Sequence, residues 1–265
     1  MKVDDILLRL ELDGWCVVPG IIPPNKVGDV RESVQNTAGG VGGYSRTKGV
    51  SASKGLLASD QSFGRYLADP LITGTAEAMF GPHVRISFTT AIINNPGNER
   101  GGWHSDWPFN QNNAGHIQAP YPDAVMHLTT LWMLSPFTSE TGATWIVPGS
   151  QRENNNPTGD NGVDPNKPHP EEIQASGRPG SVLVLDSRMW HAIAVNNSDK
   201  PRVGIAVRYA PWWLNLDSLK EGSVQRVRMS DETGTFEPDQ VLIPADVYES
   251  LSNAVKPLFR HWVVG

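Results

Sequence analysis

The run Ser181-Val182-Leu183-Val184-Leu185-Asp186-Ser187-Arg188-Met189-Trp190-His191 begins with a short apolar segment and ends on a histidine. An apolar segment of this length, closed by polar residues, predicts a buried β-strand. Further strand-like runs lie on both sides of it, from His83 onward, without a convincing helix between them: Val84 to Asn94, Ala124 to Leu134, Thr144 to Val147 and Val203 to Ala210. Antiparallel pairing is therefore expected, and a sandwich or jelly roll fits better than a doubly wound fold.

Helical patterns flank this β-rich region. Apolar residues recur at helical spacing near the start of the chain, a second helical pair is expected from Ser59 to Leu67 and from Pro70 to Phe80, and a last helix is expected from Pro244 to Lys256. We therefore expect one mainly β domain over residues 1–265. Its parts are a helical flank of about 1–82, a core of about 83–215 and a C-terminal helical segment of about 216–265.

Two segments are predicted as loops. Residues 38–56 are rich in Gly, Ser and Lys, and residues 151–180 are almost devoid of large apolar side chains. Long loops in compact domains are usually functional or disordered. The first is expected to be a lid or a surface linker, and the second a substrate-covering lid or a disordered segment.

The composition excludes several classes of protein. The 265 residues carry 22 Lys and Arg against 28 Asp and Glu, a net charge of −6, so a nucleic-acid partner is not expected. No run of about 18 apolar residues predicts a membrane span. The single cysteine, Cys16, cannot form an internal disulfide, and the acidic start of the chain is unlike a signal peptide, so a cytoplasmic location is expected. The sequence does not indicate an oligomeric state.

Two histidines and an aspartate form a candidate metal site. His104 and Asp106 are two positions apart in Gly101-Gly102-Trp103-His104-Ser105-Asp106-Trp107, so in an extended segment both side chains point to the same side. If His191 supplies a third ligand, the set is the two-histidine, one-carboxylate triad of Fe(II) oxygenases, which leaves coordination positions open. Taken alone, a His-x-Asp tripeptide is more often a solvated pair on a loop.

Arg202 follows His191 by 11 positions, beyond a turn marked by Asn196-Asn197-Ser198-Asp199. An antiparallel hairpin would return it to the metal site. A guanidinium forms paired hydrogen bonds with a carboxylate, which is what anchoring the far end of 2-oxoglutarate requires. The alternative for this residue is a surface arginine on a strand.

The chain resembles the phytanoyl-CoA dioxygenase family of Fe(II)- and 2-oxoglutarate-dependent oxygenases. Five blocks carry the resemblance in the family's order: Asp13 to Gly20, His104-Ser105-Asp106, Leu131 to Leu134 leading to Thr141 through Ser150, Trp190-His191, and Asn197-Ser198 with Arg202. The family commonly has histidine after the Pro-Gly-Ser turn, where this chain has Gln151.

The resemblance implies a double-stranded β-helix, a cupin-like jelly roll, with iron held by His104, Asp106 and His191. It also implies that Arg202 binds the C5 carboxylate of 2-oxoglutarate and that Thr144 and Trp132 line the co-substrate pocket. Fe(II), 2-oxoglutarate and O₂ would then oxidise a substrate C–H bond with release of succinate and CO₂. Related halogenases lack the carboxylate ligand, so the retained Asp106 favours hydroxylation.

Aromatic residues near the predicted metal site are candidates for a substrate pocket: Trp103, Trp107, Phe109, Trp190 and Trp212. They could bind a ring-bearing small molecule or simply pack the core. No basic site for a coenzyme A phosphate is evident, so a small metabolite is the expected substrate.

Two other classes remain open. The same His, Asp, His set could hold Zn²⁺ in a hydrolase, or the chain could be an inactive jelly-roll binding protein. Arg202 and the five matching blocks favour the oxygenase over both.

Overall fold

The computed structural model describes residues 1–40, 47–157, 163–235 and 240–264. In these ranges the strands are Trp15–Val18 (β1), Val50–Lys54 (β2), Arg85–Asn94 (β3), Leu128–Met133 (β4), Trp145–Ile146 (β5), Ile173–Gln174 (β6), Val182–Asp186 (β7), His191–Ala192 (β8) and Arg202–Ala210 (β9). The larger sheet has the order β1-β7-β4-β9-β3-β2 and the smaller sheet β6-β5-β8. Every neighbouring pair is antiparallel, which confirms the predicted jelly roll.

The helices of the described residues are Val3–Asp13 (α1), Pro24–Gly40 (α2), Pro70–Phe80 (α3), Val224–Arg226 (α4), Ala245–Ser250 (α5) and Lys256–Phe259 (α6), with a π-helix at Val227–Asp231. Helix α3 begins where Asp69 caps it, accepting a hydrogen bond from the Leu71 amide. The single helix predicted from Pro244 to Lys256 is wrong, because Leu251 adopts an extended conformation and separates α5 from α6. None of the described helices has the length and apolar character needed to traverse a bilayer.

Two apolar clusters lie on opposite faces of the larger sheet. The first, here called the helix-side core, joins the helices to the sheet and includes Ile6, Val30, Ile72 and Phe259. The second, here called the inter-sheet core, combines residues of both sheets such as Met133, Phe137, Ile146 and Leu185. Burial of each such side chain contributes about 1.5 to 3 kcal/mol.

Strand β9 contributes to both sides of the sheet, since alternate residues of a strand face opposite ways. Val203, Ile205, Val207 and Tyr209 belong to the helix-side core. Arg202, Gly204, Ala206 and Arg208 therefore share the inner face, and a Cβ on Gly204 would come 3.0 Å from the Phe137 ring of the inter-sheet core. Both arginines of the strand thus face the interior of the jelly roll.

Both predicted loops contain ordered structure. Val50–Lys54, inside the predicted loop 38–56, forms edge strand β2 and pairs with β3. The pairing with β3 stabilises this strand, although the strand propensity of its own sequence does not predict it. In 151–180, Ile173–Gln174 forms β6, and Gly177 bridges to Phe137. Residues 41–46 and 158–162, on which the expectation of lids partly falls, lie outside the described residues.

Candidate active site

The three predicted metal ligands come together where the smaller sheet meets the segment after β3. His104 and His191 form an isolated antiparallel bridge, with N–O distances of 3.1 and 3.0 Å, and their ring centroids are 4.3 Å apart. Oδ2 of Asp106 lies 3.7 Å from Nε2 of His191. One ligand atom from each residue lies within 4.8 Å of the others, so a single metal ion could contact all three.

The orientation of both imidazole rings is set by backbone carbonyls. Nδ1 of His104 is 3.0 Å from the Gly102 carbonyl oxygen, and Nδ1 of His191 is 2.9 Å from that of Met189. Donation by each Nδ1–H leaves the Nε2 lone pair available to a metal. Burial lowers the pKa of His104 to about 4, which keeps this ring neutral.

Both oxygens of Asp106 have partners. The Thr129 hydroxyl donates to Oδ2 at 2.6 Å, and the Arg208 guanidinium forms an ion pair with Oδ1. Burial alone would raise the pKa of Asp106, but the Arg208 charge, together with the hydrogen bond from Thr129, holds it well below its usual range. Asp106 is thus an ionised carboxylate in a fixed orientation, as a metal ligand would need to be.

Arg208 and Thr129 are not among the site residues predicted from the sequence. The two residues lie opposite each other in the β4–β9 ladder, which places both side chains beside Asp106. The period-two spacing between Arg202 and Arg208 on one strand was the available signal for Arg208. Thr129 had no such signal, because its role depends on a pairing register that the sequence alone does not reveal.

Arg202 is 4% exposed, and its guanidinium carbon lies 4.3 Å from the centroid of the Phe137 ring. Its Nε is buried without a hydrogen-bond partner among the described residues, and burial lowers the pKa of the side chain to about 9. A buried cation without a counter-anion is costly. A carboxylate-bearing ligand would relieve this cost, so Arg202 fits the predicted 2-oxoglutarate anchor.

The two other predicted co-substrate residues differ in placement. Thr144 is buried directly before β5, and its carbonyl accepts a hydrogen bond from the Ala175 amide. Trp132 belongs to the helix-side core and donates from Nε1 to the Thr130 hydroxyl, on the face of the larger sheet opposite Arg202. This placement corrects the assignment of Trp132 to the co-substrate pocket. Successive side chains of a strand point to opposite faces of the sheet, and Trp132 points to the face away from Arg202.

Trp103 and Trp190 pack together with Val147 and Ala192 in a buried cluster at the smaller sheet. Nε1 of Trp103 donates to the Lys167 carbonyl at 2.8 Å and that of Trp190 to the Asn155 carbonyl, so both rings hold the 151–180 segment. Trp190 also lines a cavity of about 660 Å³ whose lining residues do not include a metal ligand.

The remaining aromatic candidates are spread over three environments. Trp107 packs in the helix-side core with its ring edge against His127, and Phe109 stacks edge-on against Tyr121. Trp212 is 61% exposed and lines a cavity of about 750 Å³ with basic residues such as Arg85. Trp107 and Phe109 therefore match the alternative of core packing, whereas Trp212 lies at the surface.

The donor set fits Fe(II). Two imidazole nitrogens and one carboxylate from one face of the metal are the ligands of non-haem Fe(II) oxygenases, and they leave positions for a chelating co-substrate and O₂. The Arg202 guanidinium, whose Nε has no hydrogen-bond partner among the described residues, has the charge and geometry that a carboxylate of such a co-substrate would require.

Comparison with known protein families agrees with this geometry. The sequence model of the phytanoyl-CoA dioxygenase (PhyH) family matches residues 10–204, which include the three candidate metal ligands and Arg202. This chain belongs to the phytanoyl-CoA dioxygenase family. It is accordingly an Fe(II)- and 2-oxoglutarate-dependent dioxygenase.

Characterised relatives and solved structures are similar over most of the chain. Dioxygenase af480 of Aspergillus fumigatus is 25% identical over 225 residues, which are 79% of this chain and 67% of that protein. HygX from Streptomyces hygroscopicus, crystallised with nickel, 2-oxoglutarate and hygromycin B, superposes with a TM-score of 0.65 at 15% identity and covers 89% of this chain and 96% of its own. The epimerase SnoN, in complex with Fe³⁺, α-ketoglutarate and nogalamycin RO, has a TM-score of 0.63 at 20% identity, over 79% of this chain and 83% of its own. These structures share the jelly-roll fold with the present chain.

Proposed function

We propose that this dioxygenase hydroxylates a C–H bond of a small-molecule metabolite, with conversion of 2-oxoglutarate to succinate and CO₂. The observation that carries the proposal is the coexistence of a complete His104, Asp106, His191 triad with the buried guanidinium of Arg202, whose Nε has no hydrogen-bond partner among the described residues. A metal site alone would not require such a cation. The triad and the Arg202 guanidinium together match a dicarboxylate that chelates the metal at one end and binds arginine at the other.

Each residue has a distinct role in this scheme. His104, Asp106 and His191 hold Fe(II), which with O₂ and 2-oxoglutarate supplies the oxidising chemistry. Arg202 binds the far carboxylate and thereby orients the 2-oxoacid end toward the three ligands. Thr144 is proposed as a second contact to the co-substrate, since it is buried directly beside the strand that pairs with β8.

The substrate and the location of the enzyme are also part of the proposal. A small metabolite fits a chain of net charge −6 better than a nucleic acid does. A cytoplasmic location agrees with the single cysteine, Cys16, which is buried and cannot form an internal disulfide. The retained carboxylate ligand supports hydroxylation over halogenation.

The experiment is anaerobic addition of Fe(II) and then 2-oxoglutarate to metal-free protein. We expect the visible charge-transfer band of an iron-chelated 2-oxoacid, and we expect Arg202→Gln to need a much higher 2-oxoglutarate concentration for the same band. Arg31→Gln, at an exposed position of α2, is the matched control and should behave as the unaltered protein does.

Three further results would argue against the proposal. Tight zinc binding without a 2-oxoglutarate band would favour the hydrolase. Failure to bind either metal would favour the inactive binding protein. Full succinate production by His104→Ala or His191→Ala would remove these residues from the metal site.

A further inference from the structure

Asp106 is held by two different strands of the larger sheet. Thr129 of β4 donates to Oδ2, the oxygen that lies 3.7 Å from Nε2 of His191. Arg208 of β9 forms an ion pair with the other oxygen, Oδ1. The oxygen beside the histidine ligand and the oxygen beside the guanidinium are therefore different atoms.

The position of Arg208 is itself well defined. Its side chain is 14% exposed, and its guanidinium carbon lies 4.4 Å from the centroid of the Phe88 ring on the neighbouring strand β3. Among the described residues, Asp106 is the carboxylate with which it forms an ion pair. A stacked, nearly buried guanidinium has few alternative positions, so it fixes the carboxylate that it contacts.

We propose that Arg208 is a positioning residue that occupies Oδ1 of Asp106, so that this carboxylate offers only Oδ2 to the metal. A carboxylate free to rotate can bind a metal through both oxygens and so take up an extra coordination position. By occupying one oxygen, Arg208 preserves the positions that 2-oxoglutarate needs. The part of this inference that concerns 2-oxoglutarate rests on the proposed function.

The inner face of β9 connects the two ends of the site. Arg202 and Arg208 are six residues apart on that face, and the residues between them on the same face, Gly204 and Ala206, have the two smallest side chains. On this face the strand thus places Arg202 for the co-substrate and Arg208 for Asp106, with only small side chains between them. A single strand sets the distance between the metal ligand and the co-substrate anchor.

Co(II) in place of iron provides the test, because its visible spectrum reports coordination without turnover. We expect Arg208→Gln to change the spectrum of the Co(II)-loaded protein before any 2-oxoglutarate is added. We also expect it to weaken Co(II) binding by about 10- to 100-fold, the usual effect of losing an outer contact to a metal ligand, and to raise the dissociation constant for 2-oxoglutarate. Arg202→Gln should raise the same dissociation constant but leave the Co(II) spectrum without co-substrate unchanged.

Rescue separates positioning from folding. Arg208→Ala should regain the original Co(II) spectrum in millimolar guanidinium ion, whereas Arg202→Ala should show no spectral change under the same conditions. Arg208→Lys, which keeps the charge and loses the planar fork, should fall between the unaltered protein and Arg208→Gln.

An unchanged Co(II) spectrum in folded Arg208→Gln, confirmed by circular dichroism, would overturn the inference. So would an altered spectrum in Arg208→Ala that guanidinium does not restore. If the unaltered protein binds Co(II) but not 2-oxoglutarate, the proposed function fails, and the spectrum without co-substrate still tests the role of Arg208.

Discussion

The guanidinium carbon of Arg202 lies 4.3 Å from the centroid of the Phe137 ring. Backbone hydrogen bonds of 3.0 and 2.9 Å between Phe137 and Gly177 hold this ring in place, and Gly204 on β9 leaves space for it. A cation over an aromatic face gains about 2 kcal/mol when both are desolvated. The Phe137 ring therefore stabilises the position of the Arg202 guanidinium, the proposed co-substrate anchor.

Phe137→Leu is expected to weaken 2-oxoglutarate binding about tenfold, since each 1.4 kcal/mol changes a dissociation constant by that factor. Leucine keeps the site apolar but removes the ring face. Titration of the metal-loaded protein with 2-oxoglutarate measures the effect. Phe63→Leu, in the helix-side core, is the control and should cost comparable stability with no change in 2-oxoglutarate affinity. Equal affinities in both variants would remove Phe137 from the anchor.

Thr129→Val is expected to reduce divalent metal affinity by about 10- to 100-fold, because it removes the hydroxyl that donates to Oδ2 of Asp106 while keeping the side-chain shape. Thr129→Ser should restore the affinity. Calorimetric titration with Co(II) measures both variants.

The neighbouring Thr130 provides the matched control for Thr129. Its hydroxyl donates to the Val207 carbonyl and accepts from Nε1 of Trp132, on the opposite face of the same strand. Thr130→Val should lower stability and leave the metal affinity unchanged. A metal affinity lost equally in Thr129→Val and Thr130→Val would indicate a general effect of the strand instead.

The antiparallel β fold and the pair of His104 and Asp106 could be predicted from local patterns and short spacings, whereas the assignment of His191 as the third ligand depended on the resemblance to the family. The apolar run before His191 forms the buried strand β7, and the i, i+2 relation of His104 and Asp106 places both beside the metal position. These features need no knowledge of which strands pair. The face of the sheet to which Trp132 points could not be predicted from the matching motif, because the motif does not show which alternate positions of β4 point inward.

Contacts between distant parts of the chain could not be predicted in the same way. Arg208 and Asp106 are 102 residues apart, and their ion pair exists only through the register of β9 against β4. The aromatic residues near the motif are ambiguous for a related reason, since a large ring beside a strand can fill a core or line a pocket. Here Trp103 and Phe109 are almost fully buried among neighbouring side chains.

Gln151 stands where the family commonly has histidine, and both polar atoms of its amide are buried without hydrogen-bond partners among the described residues. An unsatisfied buried polar group costs about 1 to 3 kcal/mol. Gln151→Met, with a similar shape and no amide, is therefore expected to raise the free energy of unfolding by at least about 1 kcal/mol. Urea unfolding measures this change. Gln151→Glu, which buries a charge at the same position, should have the opposite sign, and a destabilised Gln151→Met would show that the amide has partners in solution.

His261 gives the stability of the protein a pH dependence. Its Nε2 donates to the Ile86 carbonyl at 3.1 Å, while Nδ1 is buried and has no partner among the described residues. Burial, helped by the Arg85 charge, lowers the pKa of the ring to about 3 from an ordinary value of 6.5. The folded state therefore favours the neutral ring, so this contribution to stability is complete above pH 6.5 and declines as the pH falls toward 3.

His261→Gln tests this dependence, because an amide can keep the hydrogen bond to Ile86 but does not titrate. At 1.36 kcal/mol per pH unit, the unaltered protein should lose up to about 2 kcal/mol more than the variant between pH 6.5 and pH 5. Urea unfolding of both proteins at pH 7.5, 6.5 and 5.0 measures the difference. The other buried histidines, including His127, are present in both proteins and cancel in the comparison. Parallel pH profiles for the two proteins would show that His261 is protonated to the same extent in the folded and unfolded states.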